Sequence, residues 1–303
     1  MQPDILDGPW QSRPALTIAR GGLIAATAGA TYAIGGFTTA FGAEHDSVER
    51  LDRESGRWRL ITPMPTARGN PSAAAVRRDI YVLGGFVRGK TVDMVEILDT
   101  GSGSWRTGRP LPGARGGAGA AAIGDRIYVV GGFDADDVAT AAVAVYDVSD
   151  DRWRRLRPMP TRRGLLKVAV LDGDLYAIGG ADDAMVFQSA VERYDPATDT
   201  WQSVAPLRSA RGNPAVAAGN RRLFVVGGAS ADGPLRTTEL YDPRADRWRT
   251  LRPLLAVGRA SFSAELLPGG TLIAFGGFEI EGGQPTASAR VEALRVGQPA
   301  SDR

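Results

Sequence analysis

Apolar residues in this chain fall in short runs of roughly four to eight, rich in β-branched and aromatic side chains and bounded by Gly, Asp and Pro, a strand signal. One stretch reads RGNPSAAAV, DIYVLGG, VDMVEILD and SWRTG from Arg68 onward; a later one reads RGLLKVAV, DLYAIGG, SAVERYD and TWQSV from Arg163 onward. The connector from Leu171 to Leu175 reads as a tight hairpin turn, and SGS before Trp105 and ATDT before Trp201 are turns of the same kind. No long segment carries a clean helical period. The pattern predicts an all-β chain with four strands per repeat.

The repeat itself is periodic. Tryptophans at 10, 58, 105, 153, 201 and 248 recur every 47 or 48 residues, and six Gly-Gly pairs from Gly35-Gly36 to Gly276-Gly277 keep the same beat. So do Arg20, Arg68, Arg115, Arg163, Arg211 and Arg259. A fixed period of this length marks units that cannot bury their apolar faces alone.

Side-chain size predicts how the units are arranged. The first strand of each is nearly all small, as in Ala25-Ala26, Ala73-Ala74-Ala75 and Ala120-Ala121-Ala122, whereas the last carries the tryptophan. Sheets radiating from an axis crowd at the inner strand and splay outside, the taper of a β-propeller. After Gly276-Gly277 comes one more strand, Val291 to Leu294, with no tryptophan strand behind it. Trp10 precedes Arg20 by the same offset as Trp58 precedes Arg68, so the amino-terminal strand is expected to complete the last sheet and remove its open edges. The expected blades span approximately 15–62, 63–109, 110–157, 158–205, 206–252, and 253–296 joined by 8–14, in one domain over 1–303.

An arginine opening the first strand, a glycine pair ending the second, Tyr-Asp ending the third and a tryptophan in the fourth resemble the kelch family. Tyr146-Asp147, Tyr194-Asp195 and Tyr241-Asp242 match in full, Leu51-Asp52 and Leu98-Asp99 keep the aspartate, and Leu294-Arg295 departs. The resemblance covers residues 8–296. It implies a six-bladed propeller of four antiparallel strands per blade, in a family whose members are adaptors, ligand-binding proteins and a few enzymes.

Composition narrows the chemistry. Hydrophobic residues make up 43% of the chain, ample for a core, and no apolar run approaches the roughly 20 residues of a membrane span. The segment MQPDILDGPW lacks a basic stretch followed by an apolar one, so a cytoplasmic protein without membrane association is expected. With no cysteine, disulfides, thiolate metal sites and cysteine nucleophiles drop out. The net charge is only +2, and although 34 of 36 basic residues are arginine, they are dispersed among 34 acids, which argues against nucleic acid. Gly117-Ala118-Gly119 opens an inner strand rather than a helix, so it is not a dinucleotide fingerprint.

In a four-stranded meander, the loop joining second to third strand and the loop joining one repeat to the next open on one face. The six arginines are therefore expected to ring one mouth of a central channel, with Asn70 and Asn213 beside them and Lys167 on an otherwise small inner strand. Glu49, Glu96, Glu192, Glu239 and Glu292 are positioned to neutralise such a ring, and Ala144 breaks the set. Arg163 is the arginine expected to stay free, because its blade follows Ala144 and Arg162 flanks it. Free guanidinium groups would hold a carboxylate, phosphate or acidic peptide bidentately.

Around that ring stand loops with Phe41, Glu44, His45 and Asp46; Asp134, Asp136 and Asp137; Asp182, Asp183, Met185 and Phe187; and the long stretch from Glu279 to Ser288. Glu265 also interrupts an inner strand where the other repeats have alanine. His45 is the only histidine, which excludes the two-histidine, cysteine-linked copper site of the galactose oxidase type. No metal or other cofactor is expected. The leading expectation is a monomeric binding scaffold for a small anionic molecule or an acidic peptide or protein. The alternative is a cofactor-independent isomerase, mutarotase, lyase or cyclase acting on a small anion in the same mouth, a role the kelch resemblance allows because some bacterial kelch propellers are sialic acid mutarotases, with Lys167, Glu265, His45 or a loop aspartate moving protons.

Overall fold

The structure, a computed structural model, describes residues 6–39, 42–252 and 254–297, with the side chains of 6 and 7 left aside. Phe41 and the first five residues lie outside the described residues. Six antiparallel sheets of four strands each stand around one axis, and the described residues contain no helix. The innermost strands are Ile24–Ala28, Ser72–Val76, Gly119–Ile123, Lys167–Leu171, Ala215–Gly219 and Ser263–Leu267, each packed against the next and the last against the first. Five sheets are meanders whose strands follow chain order from the axis outward.

The sixth is assembled from both ends of the chain. Its inner three strands are Ser263–Leu267, Thr271–Phe275 and Val291–Val296, and its outer strand is Leu6–Arg13. Leu6 pairs with Val296 and Arg13 with Val291, with one irregularity in register between Asp7 and Gln11. This closure explains why the last repeat departs from Tyr-Asp. In the other repeats the aspartate ends the third strand and its carboxylate accepts backbone N–H groups of the following turn: Asp52 from Glu54 and Ser55, Asp99 from Gly101 and Ser102, Asp147 from Ser149 and Asp150. Such a side chain pre-forms the turn. Arg295 needs no such turn, because the fourth strand arrives from the other end of the chain.

The core lies between blades rather than inside one sheet. Alanines of the inner strands let neighbouring sheets approach, and tryptophans fill the wider outer gaps. Trp153, Trp201 and Trp248 stack on the tyrosine of their own third strand, at 5.0, 5.0 and 4.8 Å between ring centroids. Their indole N–H groups donate to Arg109, Arg157 and Ala205 carbonyls of the preceding blade's outer edge, so each indole couples two blades. The glycine pairs serve the same coupling. Gly84 has φ of 57°, and a Cβ there would stand 2.2 Å from the Arg115 carbonyl oxygen of the next blade. Only glycine tolerates both constraints.

Candidate functional site

Each arginine of the repeat enters from the loop that leads into its blade, and its backbone carbonyl accepts the N–H of the second glycine in the preceding blade's pair. The six bonds, from Gly36 to Arg68 through Gly277 to Arg20, measure 2.7–3.0 Å. The side chains then turn into their own blades. Arg20, Arg68, Arg163, Arg211 and Arg259 are fully buried, and they meet Glu49, Glu96, Glu192, Glu239 and Glu292 respectively. Further donors reach main-chain carbonyls, as Arg163 reaches Gly179, Ala177 and Thr161, while the Nε groups of Arg20, Arg68 and Arg259 are buried without a partner. Burial pulls the guanidinium pKa of Arg20, Arg68, Arg211 and Arg259 below the ordinary value, and each glutamate pushes it back up.

The arginines were expected to ring the mouth, with these glutamates as counter-ions and Arg163 left free to bind. These five lie instead inside the blades, desolvated and paired, with no solvent-facing donor set. Arg163 in particular is satisfied by Glu192. The arginine opposite Ala144 is Arg115, in the same blade: the arginine-to-glutamate step inside a blade is 28 to 33 residues, and Ala144 follows Arg115 by 29. Counting forward within the blade finds it in the sequence. Arg115 is half-buried, and the one hydrogen bond of its guanidinium among the described residues runs to the carbonyl of Ala114.

The mouth of the channel is built by backbone. Gly22, Asn70, Gly117, Leu165, Asn213 and Ser261, two residues past each arginine, all take positive φ, between 42° and 64°. Their N–H groups donate in a circle: Gly22 to Ser261, Ser261 to Asn213, Asn213 to Leu165, Leu165 to Gly117, Gly117 to Asn70 and Asn70 to Gly22, at 2.6–3.2 Å. Asparagine is the side-chain-bearing residue that accepts this conformation most readily, which gives Asn70 and Asn213 a conformational role at the mouth. Asn213 also donates through Nδ2 to the Ser261 hydroxyl, 3.1 Å away. Nothing in the repeat's letters announces this ring, since its six residues share a backbone conformation and not a residue type.

Below the ring the channel holds about 280 Å³, walled mainly by alanine, with Lys167 and Glu265 as its charged groups. Enclosure by protein lowers the Lys167 pKa to about 8, and the same desolvation, opposed by the Thr27 hydroxyl, raises that of Glu265 to about 7. They stand on blades 4 and 6 with blade 5 between them, and no ion pair joins them.

Short hairpins after the glycine pairs crown the same face. The residue after each pair bridges to the residue after an arginine, as Phe86 does to Gly69 and Phe133 to Gly116. Several of the acids in these hairpins are occupied locally. Asp134 accepts from the N–H groups of Asp136 and Val138, and Asp182 from those of Ala184 and Val186. Asp183 accepts from Ala139 of the neighbouring hairpin and pairs with Arg162. Glu279 is buried against Ser288 and Arg290. His45 contacts the Thr38 hydroxyl at 2.8 Å, and burial, then Arg20, lowers its pKa against the opposing pull of Asp46. Among the described residues no three His, Asp or Glu side chains converge as metal ligands. Further bonds tie hairpin to hairpin: Gly89 donates to Glu44, and Thr91 to the Asp134 carbonyl. Standing out of this braced rim are Val138, Met185 and Val186, exposed to 39, 50 and 56%.

Residues 21–212 match the KLHDC2/KLHL20/DRC7 Kelch-repeats domain, and residues 210–255 match the Kelch motif. No individual curated protein matches the chain. The matched span, the six four-stranded blades and the closure of the last blade by the amino-terminal strand together place this chain in the kelch-repeat family.

Proposed function

We propose that this chain is a protein-binding scaffold, a cytoplasmic monomer whose partner sits on the hairpin face and carries an acidic segment. Kelch propellers typically bind proteins, and the observation that carries the reading here is the pair of hairpins on blades 3 and 4. They hold Val138, Met185 and Val186 out to solvent on turns whose backbone N–H groups are already satisfied by Asp134 and Asp182. Apolar groups fixed on a rigid support lose little freedom on binding, which favours affinity. The acidic character of the partner is supported by Arg115, the repeat arginine left without a carboxylate, and by exposed Arg155 on the same blade. The enzyme alternative has Lys167 and Glu265 to draw on, which line the same channel from blades 4 and 6 without an ion pair between them.

The test is affinity capture with the parent protein, with M185S/V186S, and with Arg221→Ser at the hairpin between first and second strands on the opposite face. Partners held by the parent and by Arg221→Ser should be lost from M185S/V186S. Retention by the hairpin variant would remove this face as the docking surface.

A further inference from the structure

In five blades the glutamate carboxylate serves both the arginine and the entering loop. One oxygen takes the arginine, and the other takes a donor from the entering loop. In blades 2 and 4 that donor is a threonine hydroxyl two residues before the arginine, Thr66 or Thr161. In blades 1, 5 and 6 it is the main-chain N–H three residues before, on Thr17, Arg208 or Ala256. Blade 3 lacks every part of this arrangement except the arginine. Ala144 replaces the glutamate, Gly113 stands where threonine would supply a hydroxyl, and Pro112 stands where the N–H would be.

What blade 3 has instead is a second cation. Across the strand pair, the glutamates face Leu60, Thr107, Ser203, Thr250 and Ser12, whereas Ala144 faces Arg155. Arg115 and Arg155 both line a cavity of about 280 Å³ bounded by Leu111, Val129 and Ala144. Neither has an ion pair among the described residues. Burial and then Arg155 pull the Arg115 guanidinium below its ordinary pKa, and the acid that opposes them is Asp134, beyond ion-pair distance. The internal salt bridge that recurs in five blades has thus become, in blade 3, a cavity with two guanidinium groups and no carboxylate.

From this geometry we infer that the Ala144 gap in blade 3 is a carboxylate-binding site, in which an external carboxylate occupies the place that glutamate fills in the other five blades. Arg115 takes one oxygen, as its counterparts do, and Arg155 replaces the missing loop donor on the other. Because the carboxylate is planar and both guanidiniums are fork donors, the site prefers it to a tetrahedral anion. A free dicarboxylate and an acidic side chain of a bound peptide present the same chemistry. The inference deepens the reading of an acidic partner on this face, yet its test needs no partner, so either can fail alone.

The probes are glutarate, a glutamate-rich decapeptide with both ends blocked, and inorganic sulfate as the tetrahedral comparison, followed by saturation-transfer NMR and by the rise in Tm with ligand concentration. Glutarate, the peptide or both should bind the parent more tightly than sulfate does. Ala144→Glu supplies the carboxylate internally; it should raise Tm without ligand and weaken either probe by about tenfold or more, the loss expected for a charge-assisted contact. Arg155→Gln, an exposed change that leaves the fold alone, should weaken them similarly. Glutarate binding without peptide binding assigns the site to a small molecule, and peptide binding without glutarate assigns it to a chain. Equal responses to both carboxylates in the parent, Ala144→Glu and Arg155→Gln, or no response in the parent, would overturn the site.

Discussion

Replacing Glu192 by alanine leaves Arg163 buried, charged and deprived of its counter-ion. In the parent, Glu192 accepts from Arg163 Nη1 at 2.7 Å and from the Thr161 hydroxyl at 2.7 Å, and the two charged side chains are 2% and 0% exposed. After the change the guanidinium keeps only its carbonyl contacts to Gly179, Ala177 and Thr161, and no water can reach it without opening the blade. Removing one member of such a pair costs about 3–5 kcal/mol, mainly from the stranded charge. Blade 3 provides the internal comparison: Arg115→Ala strands no carboxylate and should cost much less, about 1 kcal/mol or below, as a half-exposed side chain with one neutral hydrogen bond. Urea unfolding of both variants, with equal m-values, reads the difference directly. If Glu192→Ala and Arg115→Ala destabilise alike, or if Glu192→Ala costs under about 1 kcal/mol, the reading of the five arginines as desolvated clamps is wrong.

The wedge role of the tryptophans predicts graded costs: Trp248→Ala, at a site 5% exposed, should lose about 3–5 kcal/mol in denaturant unfolding, and half-exposed Trp153→Ala distinctly less. Equal losses at both sites would separate indole burial from stability. In the channel, the Glu265 pKa is raised from 4.5 to about 7, so its favourable contribution is complete below 4.5 and is lost as pH climbs through 7. The Lys167 pKa is lowered from 10.5 to about 8, so stability recovers as pH rises from 8 to 10.5. Thermal scans of Glu265→Gln and Lys167→Met should flatten the first and second slopes respectively; unchanged slopes would mean that both groups reach bulk water.

The period, the strand runs, the small inner strands and the position of Trp10 were legible in the sequence because each is a local property repeated six times. Steric taper and the need to pair a sheet edge then leave one architecture that satisfies all of them. Even the Leu294-Arg295 departure follows from closure, since the third strand there has no turn to make. The site was legible only in part. The residue types and their face could be read, and the five glutamates were recognised as counter-ions, but which arginine meets which glutamate depends on the depth of each side chain between strands. Desolvation settles that: a guanidinium without solvent must take its carboxylate, so the five with partners became structure. The match of Arg115 with Ala144 lay in the spacing within the blade, but that Arg155 joins them there was visible only once strand register placed it opposite Ala144. The ring of Gly22, Asn70, Gly117, Leu165, Asn213 and Ser261 depends on a shared backbone conformation and on bonds that close only when six blades meet, and so tertiary structure alone decided it.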